Sequence, residues 1–192
     1  MKINEFYDKL APEYEKLLES PSVNAQLMKY VKEIFSKYKI TGGRVLDVGC
    51  GPGNLKSTLG NSFSYTGIDV SDAMLLKAQE KGYEIMKGKV EEKVFEISDK
   101  TFDYIVAVGM LHFVKDISSI LQEFQRMTRK GWLISLPDVP ESYGEDFPIK
   151  EPIYNHTKIV LSDIQEDIYF PAWTSITTGE RMNERMVFKK LS

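Results

Sequence analysis

The stretch Arg44–Asn54, R-V-L-D-V-G-C-G-P-G-N, constrains this chain more than any other. Aliphatic and β-branched residues from Arg44 to Val48 end in a cluster of glycines, the pattern of a buried central strand that turns directly into a helix. Glycines at such a turn accept positive φ and leave room where a Cβ would intrude, so the turn marks the place where an α/β protein holds a nucleotide-like ligand. Spacing excludes two common loops. The dinucleotide pattern G-x-G-x-x-G needs a third glycine at position 54, which is Asn54. The phosphate loop G-x-x-x-x-G-K-[ST] would end on Lys56-Ser57, but its glycines fall on Cys50 and Leu55. What remains is G-x-G-x-G over Gly49–Gly53, preceded by Asp47.

Further elements follow in βα order. Leu55–Leu59 reads as a short helix and Ser64–Asp69 as a second strand. Asp69 lies twenty residues after Gly49, where the second strand of a βαβ unit ends beside the first. A carboxylate there can accept two hydrogen bonds from a ribose diol, or it can simply cap the next helix, a role Ser71 fills equally well. A helix over Ser71–Lys81, a strand over Tyr83–Lys87, a strand over Phe102–Val108, a helix over Ile117–Met127 closed by Arg129-Lys130-Gly131, and a strand over Trp132–Leu136 complete the core. Ahead of it, apolar positions at helical spacing predict two short helices or one kinked helix between Ile3 and Leu18, with Pro12 opening the second piece. A further helix follows Pro21-Ser22. After the core, Pro137–Pro152 reads as a long loop or lid. Lys158–Leu161, Asp167–Phe170 and Met186–Phe188 read as antiparallel strands, with a turn at Thr178-Gly179-Glu180, closing one edge of the sheet.

Composition bounds the rest. With 192 residues one core and one domain are expected, divided into N-terminal helices over 1–40, a ligand-binding core over 41–136 and a loop with strands over 137–192. The lone Cys50 excludes an internal disulfide and a cysteine-based zinc site, and no metal site is expected. The longest nearly uncharged apolar run, Tyr104–Val114, is too short to span a bilayer, and the N-terminus lacks the apolar core of a signal peptide. These features lead to the expectation of a cytoplasmic protein. A net charge of −3 gives no footprint for a nucleic-acid backbone.

Val45–Gly53, Asp69, the strand opening Phe102-Asp103 and the Lys130-Gly131-then-strand signature come in an order that resembles class I S-adenosylmethionine-dependent methyltransferases. The resemblance covers roughly residues 40–136 and implies a doubly wound, mostly parallel seven-stranded α/β sheet of the Rossmann-like type. It implies S-adenosylmethionine as cofactor. Gly49 and Gly51 would pass its methionine part, Asp47 would support the amino group and Asp69 the ribose. Met74 would pack on the adenine face, the adenine would be read either by the backbone over Lys89–Glu91, Val90 included, or by Glu91 itself, and Val70 and Val108 would be further cofactor-binding positions. One departure stands out: relatives often carry an aspartate after the glycine at position 88, and this chain has Lys89. Tyr7-Asp8-Lys9-Leu10-Ala11-Pro12-Glu13-Tyr14 resembles a segment that folds over the cofactor, which makes Tyr7 and Tyr14 candidate lid residues. The loop Val108–Val114 lacks the Asn/Asp-Pro-Pro-aromatic motif of enzymes acting on exocyclic amines, and its Leu111-His112 pair resembles enzymes that methylate small metabolites. His112 and Tyr14 are candidates for accepting a proton from the acceptor. A small-molecule acceptor is expected. RNA or protein as acceptor, a non-catalytic cofactor-binding domain and a nicotinamide-dependent oxidoreductase are the alternatives, the last disfavoured by Asn54.

Overall fold

The computed structural model describes residues 1–18, 22–138, 152–174 and 181–191. Seven strands form one sheet in the order β3-β2-β1-β4-β5-β7-β6. They are β1 (Gly43–Val48), β2 (Phe63–Asp69), β3 (Glu84–Lys87), β4 (Phe102–Ala107), β5 (Thr128–Asp138), β6 (Glu166–Thr174) and β7 (Arg181–Lys190). The first five run parallel, and β7 is antiparallel to both β5 and β6. This is the doubly wound, mostly parallel sheet with antiparallel C-terminal strands that the sequence led us to expect.

Strand alternation divides the core between the two faces. Leu46, Val48, Ile105, Ala107 and Ile134 face α5 (Val90–Lys93) and α6 (Ile117–Met127), where Val90, Val94, Ile117, Ile120 and Phe124 complete one apolar cluster. Val45, Val106, Leu133, Met186 and Phe188 face the other way. They pack with Leu27, Val31 and Ile34 of α2 (Val23–Lys37), Leu55 of α3 (Asn54–Leu59) and Leu75 and Ala78 of α4 (Asp72–Glu80). Because β1 lies between β2 and β4, successive connections leave it in opposite directions and open a crevice at the strands' carboxyl ends.

The N-terminal segment is in two pieces, α1 (Ile3–Leu10) and a tight 3-10 turn over Tyr14–Leu18. It is fastened to α4 by side chains. Asp8 Oδ1 accepts from the Ser71 hydroxyl at 2.6 Å and from Ala73 N–H at 3.1 Å, so an acid on α1 sits at the N-terminus of α4. Glu15 pairs with Lys81 at 2.6 Å.

Two expectations need correcting. Arg129-Lys130-Gly131 does not close α6, because β5 already begins at Thr128. Gly131 sits inside the strand at φ 155°, and a Cβ there would stand 2.3 Å from the Lys189 carbonyl oxygen, so the glycine is what lets β7 approach. Lys158–Leu161 is not a strand. The buried Arg185 guanidinium donates to the Thr157 and Ile159 carbonyls at 2.8 and 2.7 Å, occupying acceptors that a ladder would need. The lid expected over Pro137–Pro152 and the turn at Thr178-Gly179-Glu180 fall largely or wholly outside the described residues. No helix among the described residues is long and apolar enough to cross a membrane.

Candidate functional site

The turn after β1 is built so that its own amides are satisfied from β2. Gly49 and Cys50 N–H donate to the Ile68 carbonyl at 2.8 and 3.1 Å, and Gly51 N–H donates to Asp69 Oδ2 at 2.9 Å. The loop therefore offers a ligand open space more than free donors. Gly49 takes φ 69°, and a Cβ on it would lie 2.6 Å from Met110 Cγ. At Gly51, with φ 50°, a Cβ would meet only the Tyr14 ring, at 3.8 Å.

Asp69 is held on both oxygens. Oδ1 accepts from Ser71 N–H at 2.9 Å while Oδ2 holds Gly51. Burial raises its pKa, and the N–H bonds from Ser71, Gly51 and Val70 oppose that rise. Each carboxylate oxygen has lone pairs beyond the one its amide uses, so Asp69 is oriented and still able to accept. Ser71 does cap α4, accepting from Met74 N–H at 3.1 Å, which leaves Asp69 without that duty.

These groups border a crevice partly open to solvent. Tyr7, Tyr14, Gly49, Gly51, Asp69, Val70, Met74, Val90, Glu91 and Val108 all line it. Ile3, Ile68, Gly88, Lys89, Gly109, Met110, Phe113 and Val114 complete the wall. Asp47 lines a second, smaller hollow that shares Tyr14, Gly49, Gly51 and Val108 with the first. There Asp47 is 6 % exposed, accepts from the Tyr83 hydroxyl at 2.9 Å, and is pushed up to about 7 by burial. Tyr83 in turn accepts from Lys56 N–H at 3.2 Å and ties β1 to the first turn of α3.

The two candidate proton acceptors stand apart. Tyr14 lines both hollows and is hydrogen-bonded to Asn24, and burial together with the charges of Asp69 and Asp47 pushes it up to about 12. At neutral pH it is a donor. His112 is not among the residues lining either hollow, although its neighbours Met110, Phe113 and Val114 are. Burial, helped by His156, pushes it down to about 4, and its Nδ1 has no hydrogen-bond partner among the described residues. It is a neutral imidazole behind the wall.

The sequence reading passed over Asn24 and Asn54, which both line the smaller hollow. Asn54 is 7 % exposed, and its Oδ1 has no partner among the described residues. The reading weighed Asn54 only as a missing glycine. Asn24 lies three and seven residues before Leu27 and Val31, on the same helical stripe, and a polar residue in an apolar stripe is a signal that could have been used.

With this geometry in view, the likenesses to known proteins are consistent. Residues 46–135 match a family model described as a methyltransferase domain. A phosphatidylethanolamine N-methyltransferase from Cereibacter sphaeroides is 35% identical over 96 residues, covering 47% of each chain. A ubiquinone biosynthesis O-methyltransferase from Pseudomonas putida (strain W619) is 35% identical over 107 residues, 53% of this chain and 46% of the relative. This chain thus matches about half the length of these curated relatives. Among solved structures, a magnesium protoporphyrin IX methyltransferase from Synechocystis PCC 6803 with bound S-adenosylhomocysteine superposes with a TM-score of 0.66 over 97% of both chains, at 14% identity, a likeness of fold alone. Residues 46–135 are thus the part of this chain that is similar to methyltransferase domains.

Proposed function

We propose that the chain binds S-adenosylmethionine in the crevice and transfers its methyl group to a small-molecule acceptor. The observation that carries this reading is Asp69, a carboxylate fixed by Gly51 and Ser71 N–H at the end of β2, with acceptor capacity left over for a vicinal diol. The residues present fit such a donor along its length. Ile68, Met74 and Val90 offer apolar surface for a base, with Gly88, Lys89 and Glu91 at its edge. Asp47 and the free Asn54 oxygen offer acceptors for an ammonium where the smaller hollow meets the glycine turn.

When bound, the donor supplies an activated methyl carbon and a neutral leaving group, so the chain need not furnish a nucleophile. Its residues have to hold two reactants in line, a contribution of up to about 7 to 11 kcal/mol when alignment is ideal. Val108, Gly109 and Met110 at the end of β4 form the wall where the acceptor would approach, opposite Tyr7 and Tyr14. Tyr14, protonated at neutral pH, orients the acceptor by donating a hydrogen bond. His112 reaches a proton only if the Phe113 segment shifts. The named relatives methylate different atoms, nitrogen in one and oxygen in the other. A cytoplasmic location accords with a chain whose lone Cys50 can form no internal disulfide.

Titration calorimetry tests the proposal. S-Adenosylhomocysteine should bind where NAD and ATP do not, and Asp69→Ala should weaken it about tenfold to a hundredfold, the equivalent of one or two charge-assisted hydrogen bonds. Binding of NAD alone, or an Asp69→Ala chain that is folded and binds with unchanged affinity, would overturn it.

A further inference from the structure

Glu184, near the start of β7, stands outside the donor site and has 1 % of its surface exposed. Its Oε1 is buried without a hydrogen-bond partner among the described residues, and the Ser135 hydroxyl is within hydrogen-bonding reach of the carboxyl. Register puts Glu184 opposite Pro137 on β5 and Phe170 on β6, with Ser135 one step along the same face, opposite Met186. Phe170 stacks on Tyr30 of α2 at 4.3 Å, so a helix covers this corner of the sheet. Ser135 looks the other way as well: its Oγ accepts from Gly109 N–H at 2.8 Å. Gly109 begins the crevice wall, and the next residue, Met110, abuts Gly49.

We propose that Glu184 is a positioning residue for methyl transfer, acting through Ser135 to set where the Gly109–Met110 wall of the crevice stands. The proposal rests on the reading of the crevice as a donor site. An ionised Glu184 takes the Ser135 hydroxyl proton as a hydrogen bond and leaves a serine lone pair aimed at Gly109 N–H. Protonation of the carboxyl weakens that hold, because a neutral acid is the poorer acceptor. Burial pushes Glu184 up to about 7, so both states are populated near neutrality.

The surroundings supply few competing charges. Asp47 on β1 shares this face across β4 and is itself pushed up to about 7. Tyr30 on α2 stands beyond the Phe170 ring, while Tyr104 of β4, Lys37 at the end of α2, Tyr38 just after it and their shared partner Glu166 of β6 lie toward the far end of the sheet, beside Gly131 and Phe188. Asp167 and Arg185 pair with each other on the opposite face.

The Gly109 amide in ¹⁵N–¹H spectra provides the test, because it reports the relay without needing an acceptor. In the unsubstituted chain its shift should titrate with a midpoint near 7 and should stop doing so in both Glu184→Gln and Ser135→Ala. Affinity for S-adenosylhomocysteine should fall about two- to tenfold from pH 8 to pH 6, the size of one hydrogen bond, and should become flat in Glu184→Gln. A Gly109 titration that survives in Glu184→Gln would assign it to Asp47 and overturn the proposal, as would an amide that does not move at all. If the unsubstituted chain bound no S-adenosylhomocysteine at any pH, the donor-site reading would fall, and the amide would still decide the relay.

Discussion

An acidic side chain ends β2 on one flank of the sheet and another is buried within β7 on the other, and the two flanks treat them differently. On the β2 side, Asp69 is held by N–H groups two and eighteen residues away, all within one βαβ unit. On the β7 side, Glu184 has Ser135 of β5 within reach and stands opposite Phe170 of β6, and Arg185 beside it reaches carbonyls 26 and 28 residues back. The donor flank is therefore assembled by local backbone donors and the far flank by side chains drawn from distant segments. Substitutions on the donor flank should register in ligand affinity and those on the far flank in stability and its pH dependence, with Glu184 the exception because Ser135 connects it to the crevice wall.

Arg185→Ala should break this contrast most severely. Arg185 makes a bidentate pair with Asp167 at 2.8 and 2.9 Å and also fastens the 157–159 segment. Its loss strands two carbonyls and an acid, for a cost of about 3 kcal/mol. Urea denaturation should show that loss while S-adenosylhomocysteine affinity in the folded protein stays within about twofold. A comparable loss of affinity would mean that the flanks are not separable.

The acids give the second prediction, in which pH sharpens the comparison. Glu184 and Asp47 are both raised to about 7 in the fold, from 4.5 and 3.8, so between those values the folded chain keeps protons that the unfolded chain has released. Stability contributed in the protonated state is lost as pH rises through that window. Asp8, Glu15, Asp103 and Glu166 are lowered and work in the opposite sense, losing their stabilisation as pH falls below the ordinary carboxylate range. Stability should peak near pH 5. Glu184→Gln should remove part of the decline above it, at most about 3 kcal/mol by pH 8. Denaturation midpoints measured from pH 5 to 8 check the slope, and a profile rising to pH 8 would contradict it.

The same contrast explains what the sequence could tell. The glycine turn, Asp69 and the strand order were legible because local chemistry dictates them: a positive φ at Gly49 and a strand-end acid twenty residues on need no knowledge of distant segments. Thr128–Gly131 was misread because a basic-glycine run ends helices by local rules, and only β7 reveals that Gly131 is a place of close approach. Lys158–Leu161 has the β-branched apolar run of a strand, and a single arginine on β7 decides otherwise. Glu184 carried no signal at all, since an acid near a basic run such as Glu184-Arg185 reads as solvated surface. Asp47 was legible as a site residue, but its tie through Tyr83 to Lys56 was not, because that bond joins positions 36 residues apart.

The N-terminal segment is fastened to α4 on the donor flank and supplies the two smallest effects. Ser71→Ala removes the cap that Met74 N–H uses and the hydroxyl that anchors Asp8, for about 1 to 2 kcal/mol of stability, and it frees α1, which carries Tyr7 to the crevice. Calorimetric melting and a severalfold loss of S-adenosylhomocysteine affinity should appear together.

Lys81→Ala removes a partly exposed ion pair with Glu15, which is worth under about 1 kcal/mol because solvent screens it and two long side chains must be ordered to form it. Lys77 also reaches Glu15, at 3.9 Å, and can take over much of the contact. The melting temperature should scarcely move, and any effect should be confined to the rate at which S-adenosylhomocysteine leaves. The reason is that Glu15 follows Tyr14 directly, so loosening it frees the ring that faces the glycine turn without disturbing the sheet. Stopped-flow dissociation should show about a twofold faster release that vanishes at high salt, where the parent pair is screened too. If Lys81→Ala instead matched Ser71→Ala in stability, the segment would be fastened by its charges, and the cap on α4 would be the lesser of the two ties.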